Sequence, residues 1–241
     1  MKRLALPAVL ALTLFAETDT RITVHTLVRE DVFAGFLGND MARFAKGEAM
    51  LEQLDKERPS QRQLIRAWQG STAFYRAVLA YEAGDAAEGD RLYAIAQSRY
   101  EEAATLAPKD GGVWAVVGAT NALFADRLPA EKRAASWAMS YDIYQKLAAA
   151  QMAFVDKLPV HIRGELLAGV TMSAQRTGHR EEYLKSLDKM IEVMAGSPYA
   201  STAKAWKERP ETVAKSSLMC KNCHDAGRLE ARKASLSEPR P

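Results

Sequence analysis

Residues 89–107, GDRLYAIAQSRYEEAATLA, decide the fold class. Leu92, Ala96, Tyr100, Ala103 and Ala107 recur at three- and four-residue spacing and line one stripe of a helix, while Arg91, Gln97, Arg99 and Glu101 sit elsewhere on its surface. Such a stripe has to bury against a neighbour. The same periodicity runs from about Glu30 to Glu208, and no stretch in that range combines sustained alternation with β-branched enrichment, so an all-α body is expected. Start signals divide it into separate helices. Ser60 with Gln63 and Asp85 with Glu88 make capping-box patterns, and Ser197 followed by Pro198 suits a cap with a first-turn proline. Turn chemistry at Gly38-Asn39-Asp40, Gly84-Asp85, Lys109-Asp110-Gly111-Gly112, Leu128-Pro129 and Leu158-Pro159 predicts the breaks.

The opening segment also resembles the second helix of a tetratricopeptide repeat, with small Ala96, aromatic Tyr100, small Ala103 and then Pro108 in the order of that motif. Trp114, Val117 and Gly118 look like the tryptophan, apolar residue and glycine of the next repeat's first helix, and Gly178 with Tyr183, Leu187 and Met190 is a weaker echo. The resemblance covers residues 60–198. It implies a degenerate tetratricopeptide-like array with a concave binding surface, because Pro108 and Pro159 stand further apart than the ~34 residues of a strict repeat. A non-repetitive helical bundle is the alternative, since alanine-rich amphipathic helices imitate such repeats. Residues 31–36 and 41–54 are read as a pair of helices capping the array.

A chain of 241 residues can bury a real core, and its 48% hydrophobic content is that of an ordinary globular protein. At the N-terminus Lys2 and Arg3 precede an apolar run from Leu4 to Phe15 and then Ala16, the layout of a secretory signal peptide over residues 1–16. An ordinary apolar helix is the alternative, and the run is too short to span a bilayer. Export to the periplasm is therefore expected, with no membrane span after signal removal. With Lys2 and Arg3 gone the chain is close to neutral, and without a basic stripe nucleic acid is not an expected partner.

Only two cysteines are present, too few for a disulfide scaffold. They form Cys220-Lys221-Asn222-Cys223-His224, the attachment signature of c-type haem. Two thiols three apart on a helical turn can each bond one vinyl group of the porphyrin, and His224 then brings its imidazole to the iron as an axial ligand. Three rivals stay open: a redox dithiol, which expects an α/β setting; a zinc site, which lacks local ligands for a tetrahedron; and a surface disulfide.

The late motif resembles class II cytochromes c, the cytochrome c-prime group, whose attachment site lies near the end of the last helix of a four-helix bundle; CKNCHDAGR at 220–228 is the similar block. The likeness covers about thirty residues, and Ala226-Gly227 departs from an aromatic position. Pro210 and Glu211 suit the start of a terminal helix over residues 211–234 that presents the haem, giving three segments: the signal peptide 1–16, a helical body 17–208 and an attachment segment 209–241. Leu218, Met219 and Leu229 cannot enclose a porphyrin alone.

For the sixth ligand His25, His161 and His179 are the remaining histidines, while Met172, Met190 and Met194 fall at core spacing and Met219 sits too near Cys220. An open sixth position is what the cytochrome c-prime likeness implies. No nucleophile motif, phosphate loop or metalloprotease helix appears. The leading expectation is an electron carrier rather than a catalyst: a periplasmic mono-haem protein that docks a redox partner, with a peptide or protein held in its helical groove as a further partner. A five-coordinate gas-binding or peroxidase-like protein and a haem-free adaptor are the alternatives.

Overall fold

Local chemistry starts and stops each helix of the chain, whose computed structural model describes residues 22–215. Helix α1 (Val24–Gly38) begins at Thr23, whose Oγ1 accepts from the Thr26 amide at 3.3 Å, and ends at Asn39 in the left-handed region with φ 54°. Asp40 then caps α2 (Met41–Glu57) through the Arg43 amide at 3.0 Å. A 3-10 turn, Pro59–Gln61, leads into α3 (Arg62–Glu82), and Gly84 at φ 82° makes the tight reversal into α4 (Ala86–Leu106), capped by Asp85 through the Glu88 amide at 3.0 Å. Asp110 accepts from the amides of Gly112 and Val113 at the head of α5 (Gly111–Phe124).

Pro129 and Pro159 stand immediately before α6 (Ala130–Gln151) and α7 (Val160–Arg176). Helices α8 (Arg180–Val193) and α9 (Pro198–Glu208) complete the helical body, and a 3-10 segment, Pro210–Lys215, follows. Among the described residues there is no strand.

Consecutive helices pair as hairpins, α1 with α2, α3 with α4, α5 with α6 and α7 with α8; the short connections make each pair antiparallel. The first helices of the hairpins stack in chain order, α1 on α3, α3 on α5 and α5 on α7, and α9 packs on α8 at the end. Helices α3, α5 and α7 begin at residues 62, 111 and 160, equal steps that are longer than ~34 residues because α3, α4 and α6 each run 21 or 22 residues.

Close approach within hairpins is made by glycine. A Cβ on Gly70 would meet the Tyr100 ring at 2.6 Å, and one on Gly118 would meet Ile143 at 2.8 Å. Tyr100 and Ala103 of the stripe at residues 89–107 are buried as expected, and Trp137, Met172, Met190 and Met194 are core residues.

Several sequence expectations shift. Helix begins at Val24, well before Glu30, so the first pair is a full hairpin of 15 and 17 residues. Ser60 lies in the 3-10 turn and caps nothing; the N-cap of α3 is Gln61 without a side-chain bond, and Gln63 donates instead to Asp110 at 3.3 Å. Glu88 pairs with Arg91, so Asp85 caps alone without a reciprocal box. Ser197 does precede Pro198 at the head of α9, but its hydroxyl donates backwards to the Met194 carbonyl at 2.6 Å. Where a terminal helix is expected to begin, residues 210–215 form a 3-10 segment packed on α7 and α9, with Val213 fully buried.

Candidate functional site

Stacking four first-position helices with their N-terminal halves at one end creates a groove of about 400 Å³. Its walls are apolar: Phe33 of α1, Leu64 and Trp68 of α3, Ala115, Val116 and Ala119 of α5, Leu147 of α6, and Ile162 and Leu166 of α7. The charged and imidazole groups come from the two flanking helices, with Thr23, Thr120 and Gln151 as further polar side chains. Helix α1 supplies His25 and Arg29, α7 supplies His161 and Glu165, and Gln151 closes one end.

The spacing explains the presentation. His25 and Arg29 are four apart, as are His161 and Glu165, so each pair occupies one face of its helix and both faces look into the groove.

On α1 the Arg29 guanidinium donates to His25 Nε2 at 3.3 Å and pairs with Glu30 at 2.9 Å, a carboxylate that is itself buried. The His25 ring lies 5.4 Å from that of Trp68. On α7, His161 Nε2 stands 3.5 Å from the Glu165 carboxylate. Burial among apolar groove walls pushes the Glu165 carboxyl up to about 7, and the opposing charge of Arg29 offsets only part of this. Burial thus favours the neutral carboxylic acid over the anion at this position. The buried Trp68 indole N–H finds no hydrogen-bond acceptor among the described residues. Ile162 of the groove lining is a large apolar side chain left exposed, as are Val160 at the start of α7 and Phe154 in the segment before it.

The structure thus brings together two of the three histidines that the sequence offers as iron ligands. His179 is elsewhere, stacked on Tyr141 with centroids 4.0 Å apart and bonded through Nδ1 to the Thr177 hydroxyl at 2.8 Å. Met172, Met190 and Met194 are enclosed in the core and do not line the groove. Sequence reasoning missed Arg29 and Glu165. Their four-residue spacing from His25 and His161 was a readable signal, but only the stacking of α1, α3, α5 and α7 makes the two faces converge. The attachment residues Cys220, Cys223 and His224, and the signal peptide at residues 1–16, lie outside the described residues.

Among the described residues no group of three or more His, Cys, Asp or Glu side chains could hold a metal ion, and no helix is long and apolar enough to cross a membrane. No protein-family model matches the chain, and no curated protein or solved structure was found to match it.

Proposed function

We propose that this chain is a mono-haem c-type protein of the periplasm that transfers electrons, with its helical array serving as the docking body for a redox partner. The observation that carries this reading is the block Cys220-Lys221-Asn222-Cys223-His224, in which two thiols and an imidazole stand at the separations covalent haem attachment needs. Lys2, Arg3 and the apolar run after them support export, which is where attachment occurs.

The described residues fit such a group. The groove offers apolar walls suited to a porphyrin face, imidazoles suited to iron, and at Arg29 and Gln151 polar groups suited to its carboxylates. Cys220 and Cys223 would hold the haem and His224 would ligate it; the bound iron supplies reversible one-electron exchange. The chain's own part is to exclude water from one face of the group and to set the charge around it. Glu165 and Arg29 are the charged groups available for that.

The test is an optical spectrum of protein matured in a host with cytochrome c assembly. A haem signal that stays with the denatured polypeptide, and that Cys220→Ser with Cys223→Ser abolishes, is expected. Absence of covalent haem overturns the reading and leaves a helical adaptor with a cysteine pair. Export is checked by recovering the protein from the periplasmic fraction.

A further inference from the structure

One side of the groove carries hydrogen-bond donors that the described residues do not fill. Trp68 of α3 borders the groove yet is only 2% exposed, and its indole N–H has no acceptor among the described residues. A buried N–H in that state is costly, and native structures rarely leave one without a partner. The His25 ring of α1 stands 5.4 Å from that of Trp68, and the Arg29 guanidinium lies 3.3 Å from His25 Nε2. Arg29 also pairs with Glu30 at 2.9 Å, but its guanidinium carries more N–H donors than Glu30 and His25 take. Indole, imidazole and guanidinium thus form one contiguous patch.

The positive end of α7 lies at the same groove. His161 and Ile162 of its first turn line it, and Pro159 before them leaves that turn without a side-chain cap. Glu165 is the one acidic side chain in the lining, and its burial favours the neutral acid, which repels no anion. The remaining wall is hydrocarbon, and the volume of about 400 Å³ suits a small ligand.

We propose that the groove between α1, α3, α5 and α7 is a binding site for a free, small apolar monocarboxylate. Its carboxylate accepts from Arg29 and from the Trp68 indole N–H, and its hydrocarbon body lies along Val116, Ala119, Leu147 and Leu166. Trp68 is the specificity element, because its N–H rewards an acceptor oxygen and nothing else in the groove pairs it. The site is built wholly from described residues and does not rest on the haem reading, so either can fail while the other stands.

The experiment is a calorimetric titration of the full-length chain with octanoate at pH 6, with 1-octanol and octylammonium as matched probes of the same chain length. Octanoate should saturate one site and bind at least tenfold more tightly than either. In nitrogen-15 spectra the Trp68 indole N–H signal, identified by its absence from Trp68→Phe, should move on saturation. Trp68→Phe keeps an aromatic ring but not the donor, and should lose about tenfold in octanoate affinity while binding octanol as the parent does. Ala115→Leu fills the groove from a half-buried position on α5 and should abolish binding with an unchanged circular dichroism spectrum.

Failure of octanoate to bind overturns the proposal. So does octanol or octylammonium binding as tightly as octanoate, a Trp68 N–H signal that stays in place at saturation, or octanoate binding that survives Ala115→Leu.

Discussion

Glu165 shows how far one side chain departs from its ordinary behaviour once apolar walls surround it. Its carboxyl titrates near 7 in the folded chain against 4.5 for the free group, because burial disfavours the anion more than Arg29 favours it. Between those values the folded state holds a proton that the unfolded state has released, so stability falls as pH rises from about 4.5 to 7. The full shift corresponds to about 3 kcal/mol at ~1.4 kcal/mol per unit, and the quarter of the side chain still open to solvent lowers the expected effect to roughly 1–2 kcal/mol. Urea titrations should find Glu165→Gln more stable than the parent at pH 8 and nearly equal to it at pH 4. Equal stability at both would show that Arg29, His25 and His161 already compensate the anion. Gly169 makes a second prediction at this scale. A Cβ there would meet the Tyr144 ring at 2.0 Å, and Tyr144 is itself buried and unable to swing away. Gly169→Ala should cost about 1–3 kcal/mol in urea unfolding with an unchanged slope.

Between elements, Asp126 is the node that joins the turn after α5 to α6 and α7. It lies in the 3-10 turn Ala125–Arg127, accepts from Trp137 Nε1 of α6 at 2.9 Å and pairs with Arg176 of α7 at 2.6 Å. Burial pushes its carboxyl up, but the bonds from Arg176 and Trp137 and the charges of Arg176 and Arg133 outweigh that and leave it below its ordinary value. A lowered carboxyl contributes stability above its unfolded value, and that contribution disappears as pH falls through the folded one, so it operates at neutrality and fades in acid below about 4. Asp126→Ala leaves the buried Trp137 N–H without its acceptor and should cost about 2 kcal/mol at pH 7, with a smaller deficit at pH 3, read by thermal unfolding followed by circular dichroism. A comparable node ties α2, α3 and α4, where Arg66 bridges Asp55 and Glu102.

At the scale of the molecule each hairpin is buttressed by the next, and α9 covers the exposed side of the last. Trp206 of α9 is buried and its carbonyl accepts from the Tyr183 hydroxyl at 2.8 Å. A chain ended after residue 196 would uncover Tyr183, Leu187 and Met190. In an array stabilised by nearest-neighbour contacts, α7 and α8 should then open first, detected as faster amide exchange there than in α3 and α4. The same truncation removes residues 220–224, so covalent haem must be absent from it if the haem reading holds.

Much of this architecture was legible beforehand because helix periodicity and turn chemistry act over a few residues. The stripe at residues 89–107, the cap at Asp85, and the breaks at Gly84, at Lys109–Gly112 and before Pro129 and Pro159 are decisions made within one or two helical turns. The capping box at Ser60 failed for the complementary reason: Pro59 holds that residue in a 3-10 turn, and Gln63 finds Asp110, which is distant in sequence. The sequence alone determined the all-α class and placed the two thiols and the imidazole of residues 220–224 at attachment spacing. Only tertiary structure decided that His25 and His161 share a groove while His179 does not, since that depends on α1 and α7 converging across α3 and α5, a relation between residues far apart in the chain that no local spacing encodes.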